Sequence, residues 1–341
     1  MVCQKLLSTE QPKRVSQFIS SLSAPFLRGA FNPDREKERR NIEYHYDVPG
    51  GFYRLFLGRT MGYTCGYYPN DRASMSEAQE EKMDIVCRKL RLTPGEHLLD
   101  IGCGWGNFLV YAAKHYGVRV TGITLSREQK AYAEDWVRRE GLETLVEVRI
   151  CNYRDLDTNR FDKIACIGMS EHVGRKNMSH FYEVVTNSLK PGGLFLQHTI
   201  TTYIRRKKGY SNRFLDTYMF PGGELMLEQE LVDQAGSSGL ELLTAENFRP
   251  HYIRTLADWI TRMEANREKL LEIVPENVFR IYHVFFIGSL ISFRDRKIAL
   301  FQNLFHKSSG MADHHTVDDH KFDDRYFTTP YSKNEQSFIR K

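Results

Sequence analysis

The sequence predicts an α/β protein built on a doubly wound, mostly parallel sheet, and three observations carry that expectation. The apolar run His97-Leu98-Leu99-Asp100-Ile101 reads as a strand buried on both faces. A glycine turn follows, Gly102-Cys103-Gly104-Trp105-Gly106, and then Phe108-Leu109-Val110-Tyr111-Ala112-Ala113, which reads as the opening of a helix. Beyond the turn, short apolar segments alternate with helix-length amphipathic ones, the pattern of parallel strands joined by crossover helices.

Along the chain, Val15, Phe18, Ile19, Leu22, Phe26 and Leu27 fall at helical spacing before a charged run from Asp34 to Arg40. A helix capping the core is the expectation there, and an amphipathic membrane-surface segment is the competing reading. Aromatic residues then crowd 44–68 among Gly58, Gly62 and Gly66, as the wall of an apolar pocket or as ordinary core packing. Residues 76–90 form an amphipathic helix with Ala78, Met83, Val86, Cys87 and Leu90 on its apolar face.

After the glycine turn the pattern predicts strands at 119–123, 146–150 and 163–167, with helices at 127–140 and 178–189. Pro191-Gly192-Gly193 marks a turn before a strand at 194–198. A helix at 231–239 and a strand at 240–243 come next, then long amphipathic helices at 253–272 and 278–301. From about Lys307 the tail has little to bury and is expected to lack fixed structure, so His314, His315, Asp318 and His320 offer no preformed metal geometry.

Composition bounds the function. Lys+Arg of 48 against Asp+Glu of 43 gives a net +5, which permits contact with an anionic lipid surface and does not demand nucleic acid. The cysteines, Cys3, Cys65, Cys87, Cys103, Cys151 and Cys166, contain no CxxC pair, which argues for reduced thiols. No run approaches a transmembrane length and no signal-peptide core opens the chain, so a cytoplasmic protein is expected.

The turn spacing is GxGxG, one residue short of the dinucleotide fingerprint, which needs its third glycine later to seat a pyrophosphate. Asp100, just before the first glycine, suits a ligand that presents an ammonium. S-adenosylmethionine carries an ammonium, a carboxylate and a sulfonium, and so matches an acid beside exposed backbone N–H groups. A dehydrogenase is the competing reading, and a tight turn without a ligand is the plain structural one. In such sheets ligands bind beyond the C-terminal strand ends. Gly102 onward, Thr124-Leu125-Ser126, Asn152-Tyr153, Gly168 to Glu171 and His198 to Thr201 should therefore converge on one crevice. Glu171 and His198 are the titratable groups there, a functional pair or two hydrogen-bonded structural residues.

Seven ordered motifs then become specific together: Tyr63-Thr64-Cys65-Gly66-Tyr67, Leu99 to Gly106, Gly122 to Gln129, Ser170-Glu171-His172-Val173-Gly174, His198-Thr199-Ile200, Phe220 to Leu225 and Arg249 to Leu256. Over about 41–305 the chain resembles the cyclopropane-fatty-acyl-phospholipid synthase and mycolic acid cyclopropane synthase family. The resemblance implies a seven-stranded class I methyltransferase fold, Rossmann-like, with helical additions over the substrate pocket. It divides the chain into an extension (1–41), a methyltransferase domain (42–306) with a lid insertion at about 201–230, and a tail (307–341).

The implied reaction moves a methyl group from S-adenosylmethionine to a cis double bond of an acyl chain and removes a proton to close a cyclopropane. By the same resemblance Glu171, His198 and Tyr252 hold a bicarbonate ion, with backbone help from Cys65, Ile167 or Ile200. Tyr63 and Thr64 go to the methionine end of the donor, Gly102 and Gly104 to the glycine turn, Thr124, Leu125 and Gln129 to the ribose region, and Tyr153 to the adenine. Tyr153 stands where the mycolic enzymes carry tryptophan, and Ser170 where relatives mostly carry a bulkier residue, a change that would widen or polarise the pocket. Arg205-Arg206-Lys207-Lys208 beside Phe214, Leu215, Tyr218, Met219 and Phe220 is either a headgroup anchor or a solvated basic loop. The substrate expected is an unsaturated acyl lipid or another apolar alkene. Peripheral membrane contact and a homodimer fit this reading; a nucleic-acid partner does not. Other outcomes of the same chemistry stay open: a methyl-branched or methylene lipid, a methylated terpenoid, or an N-methylated amine.

Overall fold

The structure, a computed structural model, describes residues 48–158, 160–204, 213–220 and 223–308. The 1–41 extension, the Arg205 to Lys208 tetrad and the histidines of the tail lie outside the described residues.

Two helices precede the sheet, α1 (Gly50–Leu57) and α2 (Met75–Lys89). Helix α2 starts where a capping box forms: Ser74 Oγ accepts from the Glu77 N–H, and the Glu77 carboxylate accepts from the Ser74 N–H. Strand β1 (His97–Ile101), α3 (Asn107–Tyr116), β2 (Arg119–Thr124), α4 (Arg127–Arg139), β3 (Val146–Ile150) and β4 (Phe161–Ile167) follow. Then come α5 (Met178–Ser188), β5 (Leu189–Thr202), α6 (Arg213–Tyr218), α7 (Glu228–Ser237), β6 (Leu240–Asn247), α8 (Arg249–Ala265), α9 (Arg267–Ile273), α10 (Glu276–Arg294) and β7 (Ile298–Lys307).

The seven strands lie in the order β3-β2-β1-β4-β5-β7-β6, with β1 to β5 parallel and β7 antiparallel to both its neighbours. The expected doubly wound sheet is present. Side chains alternate across it: Leu98, Leu196 and Leu304 pack in one core layer with α2 and α3, whereas Leu99, Ile101, Phe195 and Phe305 pack in another with α5. A third cluster, rich in aromatic rings, joins α1, α8 and α10.

Three expectations need correction. The helix read over 278–301 stops at Arg294, and β7 begins at Ile298, a strand the sequence reading missed. Phe301, Leu304 and Phe305 look helical by composition, but β7 is buried between two strands and its apolar residues serve both faces of the sheet. The helix read over 253–272 is two helices that meet at Asn266, whose side-chain amide donates to the Arg262 and Leu55 carbonyls. Finally, β5 runs well beyond 194–198 at both ends, and Pro191-Gly192-Gly193 is an irregular stretch within it, with a register shift against β4.

Candidate active site

The turn after β1 opens a cleft lined by Met61, Tyr63, Thr64, Lys82, Asp100, Gly102, Gly104, Gln129 and Gly168 among others. Five of the residues assigned to the donor thus share it with Asp100. Thr124 stands just behind, its hydroxyl donating to Gln129 Oε1 at 2.8 Å. Leu125 follows β2, and Tyr153 sits in the turn after β3 with its ring edge-on to Phe181; neither lines this cleft.

Two glycines of the turn have different reasons to be glycine. Both adopt positive φ, +81° at Gly102 and +54° at Gly104. A Cβ on Gly102 would strike Met169 at 2.6 Å, whereas a Cβ on Gly104 would meet nothing within 4 Å. Open space beside a backbone that lines a cleft is room for a ligand to approach it closely.

The floor of the cleft carries a buried charge pair that the sequence reading assigned only by half. Asp100 is 2% exposed and Lys82 1% exposed. Burial raises Asp100 to about 7, with Lys82 opposing the shift. Burial likewise lowers Lys82 to about 8, opposed by Cys65 and Asp100. Lys82 Nζ also donates to Thr64 Oγ1 at 3.0 Å, and Gln79 Nε2 donates to the Thr64 carbonyl at 2.7 Å. The sequence did hold a clue. Lys82 falls midway between Ala78 and Val86, on the apolar stripe of α2 and not on its solvated face.

Glu171 and His198 lie beside one strand. Glu171 Oε1 accepts the Ile200 N–H at 2.8 Å, two residues past His198 along β5. Its other oxygen, Oε2, is buried and takes no hydrogen bond, and burial raises the carboxyl to about 7 against the Ile200 bond. His198 is 1% exposed; its Nδ1 lies 3.1 Å from Gln302 Nε2, while its Nε2 is buried without a partner. Burial, with Lys82 and Lys89 nearby, lowers His198 well below the ordinary imidazole value, so the ring is neutral.

Cys65 is buried with its thiol toward the Gly66 carbonyl at 3.1 Å and the Phe248 carbonyl at 3.9 Å, and burial pushes that thiol far up. It is therefore no thiolate. The Phe248 ring packs against His198 at 5.8 Å, which brings the Cys65 and His198 surroundings together. Tyr252 projects from the first turns of α8 and packs on Phe293 at 4.6 Å between ring centres. The Ile200 N–H is engaged by Glu171, and Ser170 donates to Thr199 at 2.9 Å, whose hydroxyl in turn bears on the Glu171 carboxyl.

Tyr63 joins the cleft to the aromatic cluster, packing on Tyr53 at 5.5 Å and Trp259 at 5.4 Å. Among the described residues no helix is long and apolar enough to cross a membrane.

The family model of mycolic acid cyclopropane synthetase matches residues 33–303. A probable fatty acid methyltransferase of Mycobacterium tuberculosis is 38% identical over 266 residues, 78% of this chain and 62% of that protein. The cyclopropane-fatty-acyl-phospholipid synthase of Escherichia coli is 35% identical over 261 residues, 76% of this chain and 66% of that protein. The chain thus spans less than two thirds of the length of either relative. The mycolic acid cyclopropane synthase CmaA1, solved with SAH and CTAB, superposes with a TM-score of 0.75 at 31% identity, over 79% of this chain and 98% of that one. The chain belongs to the mycolic acid cyclopropane synthetase family, and its fold is that of the class I S-adenosylmethionine-dependent methyltransferases.

Proposed function

We propose that this protein methylates a cis double bond of an unsaturated acyl lipid with S-adenosylmethionine and closes a cyclopropane with the help of a bound bicarbonate. The observation that carries the reading is two buried polar atoms without protein partners, Glu171 Oε2 and His198 Nε2, on residues tied to the donor cleft through Gly168, which lines it and whose N–H donates to the His198 carbonyl.

Asp100 is an anion for the donor's ammonium and Lys82 a cation for its carboxylate, both at the cleft floor, while Gly104 leaves the space through which the ligand meets the backbone. Bound S-adenosylmethionine supplies an electrophilic methyl group on a positive sulfur. Neither Cys65 nor Cys103 competes for it as a thiolate, because both are buried thiols held protonated. Tyr63 and the rings behind it, Tyr53, Trp259 and Phe286, give an apolar, π-rich wall that shields a developing cation from water and favours positive charge. Bicarbonate, when held, supplies an acceptor for the proton. Its own O–H can be accepted by Glu171 Oε2, so a carboxylate beside an anion is attractive in this geometry.

A second reading, C-methylation without ring closure, is favoured by the likeness to the probable fatty acid methyltransferase of Mycobacterium tuberculosis. For the first reading, turnover of phospholipid vesicles with cis-unsaturated chains should fall in carbon dioxide-free buffer and return on adding bicarbonate. Turnover indifferent to bicarbonate overturns the anion's part.

A further inference from the structure

His198, Gln302 and Glu246 stand in one row across three strands. His198 on β5 pairs in register with Gln302 on β7, and Gln302 with Glu246 on β6. Over this row reaches Lys89, from the last turn of α2. Its Nζ donates to Gln302 Oε1 and to Glu246 Oε2, both at 2.8 Å. Gln302 is wholly buried, and the Lys89 side chain is 7% exposed.

We propose that Lys89 and Gln302 are positioning residues that hold His198 as the tautomer protonated on Nε2, so that the imidazole presents an N–H donor to the anion in the active site. An ammonium has donors only, so the atom of Gln302 facing Lys89 is the carbonyl oxygen. The amide nitrogen must then face His198 Nδ1, at 3.1 Å, and donate to it. A neutral ring whose Nδ1 lone pair is engaged carries its proton on Nε2. That nitrogen is the one left buried without a protein partner. Glu246 completes the row by neutralising Lys89 in a place where a lone cation would be costly. The anion-binding end of the inference rests on the bicarbonate reading, whereas the tautomer itself does not.

The test is nuclear magnetic resonance of the full chain with ring-labelled histidine, His198 being assigned by comparison with His198→Gln. The parent should show His198 with a proton on Nε2 and a bare Nδ1. In Gln302→Glu the carboxylate accepts from both Lys89 and the imidazole, so the proton should move to Nδ1. The same variant should raise the bicarbonate concentration for half-maximal turnover by roughly 10-fold or more, the loss of one hydrogen bond to a charged group, without changing the affinity for S-adenosylhomocysteine. Lys89→Met, which removes the cation and leaves the amide free to turn over, should give a mixture of the two tautomers. A proton on Nδ1 in the parent, or one that stays on Nε2 in Gln302→Glu, overturns the proposal; because the first needs only the parent, failure of a variant to fold does not shelter it. Tautomers as expected with turnover independent of bicarbonate would count against the anion and leave the control of His198 standing.

Discussion

Lys82 Nζ donates to Thr64 Oγ1 at 3.0 Å from a side chain withdrawn almost wholly from solvent, two turns before Lys89 on the same helix. One stripe of α2 therefore reaches both the cleft, through Lys82, and His198, through Lys89 and Gln302. Replacing Lys82 with Met keeps the stem's packing and removes the charge. Calorimetric titration with S-adenosylhomocysteine should show an affinity about 10- to 100-fold weaker, the cost of roughly 1.5–3 kcal/mol for a lost charged hydrogen bond. Unchanged affinity would remove Lys82 from the donor subsite.

The glycine turn offers a paired comparison. Gly104→Ala meets open space, so its effect on thermal unfolding should be small, on the order of 1–2 kcal/mol for a left-handed alanine. Its methyl group would occupy the donor's approach, and binding should weaken by roughly 10-fold. Gly102→Ala carries the same backbone strain and a Cβ at 2.6 Å from Met169, so it should be the less stable of the two. Equal stability in the pair would contradict the packing described for this turn.

Glu171→Gln keeps the shape and loses the charge. If the carboxylate serves the reacting end and not the donor, as proposed, turnover should drop about 100-fold or more while S-adenosylhomocysteine affinity holds. Parent-like turnover would end the carboxylate's proposed part.

The same variant has a stability signature whose sign follows from burial. Glu171 is raised from 4.5 to about 7 in the folded protein, so the folded state binds this proton more tightly than the unfolded one. The contribution is therefore present below pH 4.5 and is lost as pH rises through about 7. Glutamine does not titrate. Between those limits the urea-unfolding free energy of Glu171→Gln should gain on the parent by about 2–3 kcal/mol. A difference that stays flat with pH would mean that Glu171 is better solvated than its surroundings indicate.

Much of this was legible in the chain because the patterns are local. The apolar run from Leu98 to Ile101, the glycines after it and the helical spacing from Phe108 specify strand, turn and helix from neighbouring residues alone. What escaped depends on partners distant in sequence. Residues 298–307 form a strand because β5 and β6 flank them, and Gln302 acquires its part only by facing His198, 104 residues away. Lys82 acquires its part only by reaching Thr64, 18 residues away, and Asp100 beyond it. Tyr153 and Leu125 lie at the expected sheet edge but apart from the cleft's lining, so the adenine and ribose assignments of these two rest on the resemblance and not on the cleft.

The most direct measurement gives the enzyme S-adenosylmethionine carrying a trideuterated methyl group, with vesicles of cis-unsaturated phospholipid, and reads the acyl chains by mass spectrometry. Ring closure should give chains that have lost the alkene and kept two of the three deuteriums, the third having left as the deuteron removed on closure. Chains that keep all three deuteriums, or that carry none, would contradict it.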